Sequence, residues 1–204
     1  MRLPLDTCTL AILAGGAGSR MGRPKGWLEA GGRPMLAHLL DQFDWPGPTL
    51  LVTAPGRERP PDWELFSREV VDAVEGEGPL RGIVTALEAS ATPLVVVATV
   101  DMPEVRREQL EWLVGQLNQR ADIPGILLRR AEEEGCIEPF PCIFRTTAAT
   151  VLRARLQAGK RSVHSLAQEH LVATLPAPQE WATQVWTNLN RPEDLRAWEG
   201  RGEV

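Results

Sequence analysis

Apolar residues fall into short continuous runs, separated by stretches in which they recur at every third or fourth position. The runs are TLAILA at 9–14, TLLVT at 49–53, EVVD at 69–72, LVVVATV at 94–100 and ILL at 126–128. Runs of this length without polar alternation predict strands buried on both faces, as in a parallel sheet. Residues 34–43, 79–90 and 106–120 carry helical spacing, and the first two stretches open on a proline, which a first helical turn tolerates. Strand and helix alternate, so right-handed crossovers and a mostly parallel sheet in a three-layer α/β/α, Rossmann-like domain are predicted.

The second half is less regular. CIF at 142–144 reads as a strand, 146–157 as a helix stopped by Gly159, and 192–198 as a terminal helix begun near Asn190 or Arg191. GRERPPDWE and LPAPQEWATQ read as proline-containing loops too short to link domains. One domain spanning 1–204 is the expectation.

Charge and cysteine usage narrow the function classes. A formal net charge of −5 argues against a broad nucleic-acid footprint, which needs an excess of Lys and Arg. Cys8, Cys136 and Cys142 form no CxxC pair and predict neither a disulfide framework nor a zinc site. The longest apolar run is too short to span a bilayer, and the first ten residues lack the form of a signal peptide. A reducing cytoplasm without membrane contact is therefore expected.

The chemistry begins where the first run ends, in LAGGAGSRMGRPK at 13–25. A strand that releases into Gly15, Gly16 and Gly18 presents bare backbone N–H groups that a polyphosphate can approach. The Walker pattern GxxxxGK[ST] is absent, since Gly159-Lys160 is followed by Arg161. A dinucleotide fingerprint fits poorly, because Gly16, Gly18 and Gly22 are spaced GxGxxxG, and the second run leads into Thr53-Ala54-Pro55 with no acidic residue at its end. What remains is a long loop with two cations, Arg20 and Lys25, suited to wrap a triphosphate. A second element, VVVATVD at 95–101, ends an apolar strand in a carboxylate. Asp101 thus points toward the same sheet edge as Gly15 and Lys25, where one carboxylate suits Mg²⁺.

LAGGAGSRMGRPK resembles the signature loop LAGGxxxRMGxxK of the molybdenum cofactor guanylyltransferases, the MobA-like nucleotidyltransferase family. The strand closing in Asp-Met-Pro is similar to the family's DxP element, with Val100 where a Cys is common. EVVDAVEGEGPLRGIVTAL at 69–87 resembles its Asp-loop-GPLxGI segment. IEPFPCIFR at 137–145 is similar to its Glu-Pro-Leu strand entry, LQAGKRSVHSLAQ at 156–168 to a helix-turn-helix, and NLNRPEDL at 188–195 to the closing NxNTPEDL.

The resemblance implies a nucleotide-diphospho-sugar transferase type of fold and transfer of GMP from GTP to the terminal phosphate of molybdopterin, with release of pyrophosphate. Under it, Arg20, Lys25 and Asp101 would be catalytic, and Asp101 would hold Mg²⁺. Leu13, Ala14, Gly15, Gly16, Lys25, Asp72, Gly78, Pro79, Leu80 and Asp101 would bind the nucleotide, with Asp72 on ribose or base. Gly82, Asn188 and Asn190 would face the second substrate. LAGG together with GPLxG resembles the guanylyl-transferring members more than the cytidylyl-transferring ones. GTP and molybdopterin are then the partners, with transient contact to other molybdenum cofactor proteins. A CTP or sugar-phosphate enzyme stays open, as does a regulatory module that binds nucleotide without catalysis. Lys160, Arg161 and His164 could bind an anionic acceptor or solvate a helix.

Overall fold

The structure, a computed structural model, describes residues 4–16, 18, 21–130, 136–181 and 183–201. The first apolar run forms β1 (Cys8–Leu13), which leads through the glycine loop to a 3-10 turn at Lys25–Trp27. A short hairpin follows, β2 (Glu29–Ala30) with β3 (Arg33–Pro34), in which Pro34 pairs with Glu29. α1 (Met35–Phe43) therefore begins one residue after its expected first proline. Next come β4 (Thr49–Thr53), β5 (Arg68–Val71), α2 (Pro79–Ala89), β6 (Leu94–Thr99) and α3 (Arg107–Asn118), all close to their predicted positions. β7 (Gly125–Arg129), β8 (Ile137–Arg145), α4 (Ala149–Gln157), α5 (His164–Gln168), β9 (Ala173–Pro176) and α6 (Pro192–Glu199) complete the order.

Seven strands make one sheet in the order β5-β4-β1-β6-β8-β7-β9, and within it β8 alone runs against the others. All five residues of β4 are buried, as are the first five of β1 and of β6. Their unbroken apolar runs reflect cover on both faces. The chain steps one way along the sheet from β1 to β4 and the opposite way from β5 to β6. Right-handed crossovers therefore put α1 and α2 on opposite faces, an α/β/α arrangement.

β8 is longer than the CIF run suggests, for a reason that matters later. Prolines 139 and 141 cannot donate to a ladder. The pairing with β6 covers Val97↔Cys142 to Leu94↔Arg145, whereas opposite β7 the register jumps from Ile126↔Ile143 to Leu128↔Glu138. Both prolines lie inside that jump, where no ladder hydrogen bond is lost. β9 also lies where a loop was expected at its end, since Ala173–Pro176 is only partly buried and lacks a continuous apolar run.

Packing at the β7 and β8 pair is close. A Cβ at Gly125 would lie 2.4 Å from Phe144 Cδ1 and 2.9 Å from the Ile143 carbonyl oxygen. Phe144 is fully buried and cannot yield. Gly125→Ala is expected to destabilise the protein by about 1–3 kcal/mol, the range for overpacking. A denaturant midpoint equal to wild type would contradict this packing.

Candidate active site

The site is assembled at the edge where the parallel strands end. After β1, the Ala14 N–H still donates to the Val52 carbonyl at 2.9 Å, so the chain stays beside β4 until the glycines. A Cβ at Gly15 would stand 3.2 Å from the Ala54 backbone nitrogen, and one at Gly16 3.1 Å from Lys25 Cδ. Gly18 has a φ of +58°, and a Cβ there would sit 1.8 Å from the Arg23 carbonyl oxygen. Only glycine allows this fold-back. The loop then closes on itself, with the Lys25 N–H donating to the Gly16 carbonyl at 3.2 Å.

That closure delivers the Lys25 side chain to the end of β6. Its Nζ donates to Asp101 Oδ2 in a short contact and to Asn190 Oδ1 at 2.8 Å. Asp101 is buried, and its backbone carbonyl accepts the Leu189 N–H at 2.8 Å. Asn190 is held in turn by its own N–H, which donates to Asp194 Oδ2 at 2.9 Å in the first turn of α6. The glycine loop, the β6 end and the segment before α6 thus meet at one ion pair.

Around this point lies a cavity of about 500 Å³. Read along the sheet, its walls come from the chain just after β5 (Asp72), β4 (Ala54), β1 (Gly15 and Gly16) and β6 (Asp101), then from the start of β8 (Glu138). Leu13, Lys25, Gly78, Pro79, Gly82 and Asn188 also line it. Gly78, at φ +74°, precedes α2, and a Cβ at Gly82 would stand 3.1 Å from Leu13 Cδ2, so this helix packs tightly on the end of β1. Ala14 and Leu80 are buried and are not among the cavity-lining residues, and Asn190 reaches the site through Lys25. Arg20 lies outside the described residues.

Asp72 has an unusual environment. Its N–H donates to the Thr53 carbonyl at 2.8 Å, while its Oδ1 is buried without a hydrogen-bond partner among the described residues. Burial pushes its carboxyl above the ordinary aspartate range, against the lowering effect of a hydrogen bond from Thr85 and of the Arg81 charge. A buried acceptor left unpaired carries a desolvation cost.

Sequence reasoning missed Arg57, Glu138 and Phe140, which also line the cavity. Arg57 Nη1 donates to the Gly16 carbonyl at 3.1 Å and Nη2 to Glu75 at 2.8 Å. It bridges the glycine loop and the loop before α2. Arg57 lies in a proline-containing loop with no diagnostic spacing, whereas Glu138 was visible in the strand-entry motif without an assigned role. Of the basic cluster, Lys160 pairs with Glu169 at 3.2 Å and Arg161 with Glu77, a cavity-lining residue, at 3.6 Å. Among the described residues no group of three or more His, Cys, Asp or Glu gathers at metal-binding distance.

Residues 10–174 match the MobA-like NTP transferase domain family. The chain is 32% identical over 204 residues to a probable molybdenum cofactor guanylyltransferase of Deinococcus radiodurans, covering 98% of this chain and 97% of that protein. It is 30% identical over 195 residues to a molybdenum cofactor guanylyltransferase of Pseudomonas putida, covering 94% and 97%. In fold it is similar to molybdopterin-guanine dinucleotide biosynthesis protein A of Archaeoglobus fulgidus, with a TM-score of 0.74, 24% identity, and 95% and 98% of the two chains covered. The chain belongs to the MobA-like NTP transferase family.

Proposed function

We propose that the chain, acting as one nucleotidyltransferase domain, transfers GMP from GTP to the terminal phosphate of molybdopterin, releases pyrophosphate and forms molybdopterin guanine dinucleotide. The observation that carries this reading is the Lys25–Asp101 pair at the floor of the 500 Å³ cavity, in a chain similar to named guanylyltransferases over nearly its whole length.

The chemistry asks little of acid–base groups. A phosphate monoester is largely dianionic at neutral pH, its second pKa being about 6, so it attacks the α-phosphorus without a general base. The demand is for charge compensation as two anions meet. Lys25, the backbone N–H groups of the glycine loop, and Arg20 by its place in the motif are the groups for that task. Gly78, Pro79 and Gly82 shape the nucleotide wall, Leu13 and Ala14 border it through the end of β1, and Leu80 anchors α2 behind it. The orphan Asp72 oxygen suits a ribose hydroxyl or a base N–H. Asn188 faces the second substrate, and Asn190 holds Lys25.

Among the described residues five carboxylates and two cations line the cavity: Asp72, Glu75, Glu77, Asp101 and Glu138 against Lys25 and Arg57. Side chains alone leave a triphosphate under-compensated, and this supports a divalent cation. Asp101 fits Mg²⁺, which is commonly held by one or two carboxylates with phosphate and water completing the shell. When bound, the ion would supply Lewis-acid stabilisation of the phosphate oxygens.

Free thiols agree with a reducing cytoplasm. Cys8 and Cys142 are buried, and burial pushes their thiols up, Cys8 to about 12. No helix among the described residues is long and apolar enough to cross a membrane. The partners are GTP, molybdopterin and, transiently, other molybdenum cofactor proteins, with no nucleic acid.

The direct test is pyrophosphate release from each of the four common NTPs with Mg²⁺ and molybdopterin. Release with GTP and molybdopterin together is expected, and release with CTP or a sugar phosphate instead would replace the reading.

Lys25→Ala is expected to lower turnover at least about a hundredfold, the scale of losing a transition-state charge partner. It also strands the buried Asp101 carboxylate and so costs stability. The double variant Lys25→Ala/Asp101→Asn should regain most of the lost melting temperature while turnover stays low. Recovered turnover would show that the pair is structural only.

Asp72 must be ionised to accept a ligand hydrogen bond with full strength. Because its carboxyl is raised, GTP affinity should weaken as pH falls through a value above the ordinary aspartate range. In Asp72→Asn that inflection should vanish from the GTP KM profile. Identical profiles in both proteins would remove Asp72 from the nucleotide wall.

A further inference from the structure

Given the transfer proposed above, the nucleotide occupies the wall from β5 to β1 and places its α-phosphate at Lys25 and Asp101. The acceptor then enters from the remaining side, where β8 begins. β8 leaves its pairing with β6 at Cys142 and carries Glu138, Pro139 and Phe140 onto the cavity wall through the register jump opposite β7. That wall is mostly apolar, with Phe140 and Met102 both buried, and has one carboxylate set into it.

Glu138 is itself buried, at 8% exposure, and fixed. Its Oε1 accepts from Arg130 Nε, and the Arg130 guanidinium lies 5.9 Å from the ring centroid of Trp186. Oε2 has no partner among the described residues. A carboxylate at this position cannot greet the phosphate of the acceptor, which it would repel. It must face neutral donors instead, and the apolar surround suits a planar ring.

We infer that Glu138 reads the ring of the acceptor, accepting through Oε2 the paired amino and ring N–H donors on the aminopyrimidinone edge of a pterin. With Oε1 held by Arg130, Oε2 keeps two lone pairs for the two adjacent N–H donors, whereas an amide that leaves its oxygen on Arg130 must turn its NH₂ toward them. Guanine carries the same donor pair, but the strand order separates the two. Asp72 stands on the β5 side of Asp101, and Glu138 stands on the opposite, β8 side. Glu138 is thus a specificity residue for the acceptor, and it would disfavour a sugar phosphate, which lacks such a ring.

The test uses Glu138→Gln, which keeps Oε1 for Arg130 while replacing the other oxygen with a donor. Binding of a reduced pterin lacking phosphate is measured by calorimetry on both proteins, loaded with Mg²⁺ and a GTP analogue bearing an α,β-methylene bridge. The variant is expected to bind the pterin roughly ten- to a hundredfold more weakly, the loss typical of a charged hydrogen bond. Its Kd for the GTP analogue should stay within about twofold of wild type, which also reports a folded cavity. With molybdopterin as acceptor, the KM for acceptor should rise by a similar factor, with kcat changed far less. Equal pterin affinity in the two proteins, no pterin binding by wild type, or a parallel loss of GTP analogue affinity would each overturn the assignment. A wild type that binds the pterin yet releases no pyrophosphate from GTP and molybdopterin would defeat the transfer reading while leaving Glu138 as a pterin contact.

Discussion

The ion pair between Lys25 and Asp101 is the constraint on which the site's architecture depends. It joins a loop after β1 to the end of β6, and Asn190 and Leu189 bring the segment before α6 to the same two residues. A buried pair of this kind gains little net stability, because desolvation offsets its attraction, and it persists only when its remaining hydrogen-bonding capacity is filled. Here the lysine has a second acceptor and the aspartate backbone a donor. The pair acts mainly as a register mark, fixing where the glycine loop lies over the strand ends. It also leaves a cation and an anion side by side at the cavity floor, ready to be divided between a phosphate and a metal ion.

Other cations hold the cavity walls in place. Arg57 pairs with Glu75, Arg81 with Glu77 and Arg130 with Glu138, so most wall carboxylates are already matched by an arginine. A triphosphate entering this space finds few uncommitted positive charges among the described residues. Under the proposed transfer, compensation would come from Lys25 and from backbone N–H groups freed of Cβ atoms at Gly15 and Gly16. The glycines are as much a part of the electrostatics as the lysine is, since a methyl group at either would crowd the β4 backbone or the Lys25 stem.

Legibility in the sequence followed the physics of each element. β1, β4 and β6 were readable because strands covered on both faces must be continuously apolar, and α2 because Pro79 marks its first turn. β8 extends beyond the apolar CIF run because the register jump opposite β7 accommodates prolines 139 and 141, which cannot donate to a ladder. The hairpin at 29–34 and β9 are too short or too exposed to leave a periodic signal. At the site, Gly15, Gly16, Lys25 and Asp101 announced themselves through a long fixed spacing at strand ends. Arg57 and Glu138 did not, because each acts through tertiary partners distant in the chain, and a single arginine or glutamate has no spacing to recognise.

Asp72 and Asp101 illustrate how much of a role is set by partners rather than residue type. Both follow a strand of the parallel half, both line one cavity, and both read identically in sequence as a carboxylate after an apolar run. Asp101 is nearly inaccessible and is met directly by a lysine. Among the described residues Asp72 forms no ion pair, although the Arg81 charge and a Thr85 hydrogen bond act on it, and one of its oxygens is buried unsatisfied. Residue type and strand-end position are thus shared by the two, while the counter-charge in contact with each carboxylate differs: a lysine meets Asp101 directly, and Asp72 carries a desolvation cost that no ion pair among the described residues offsets.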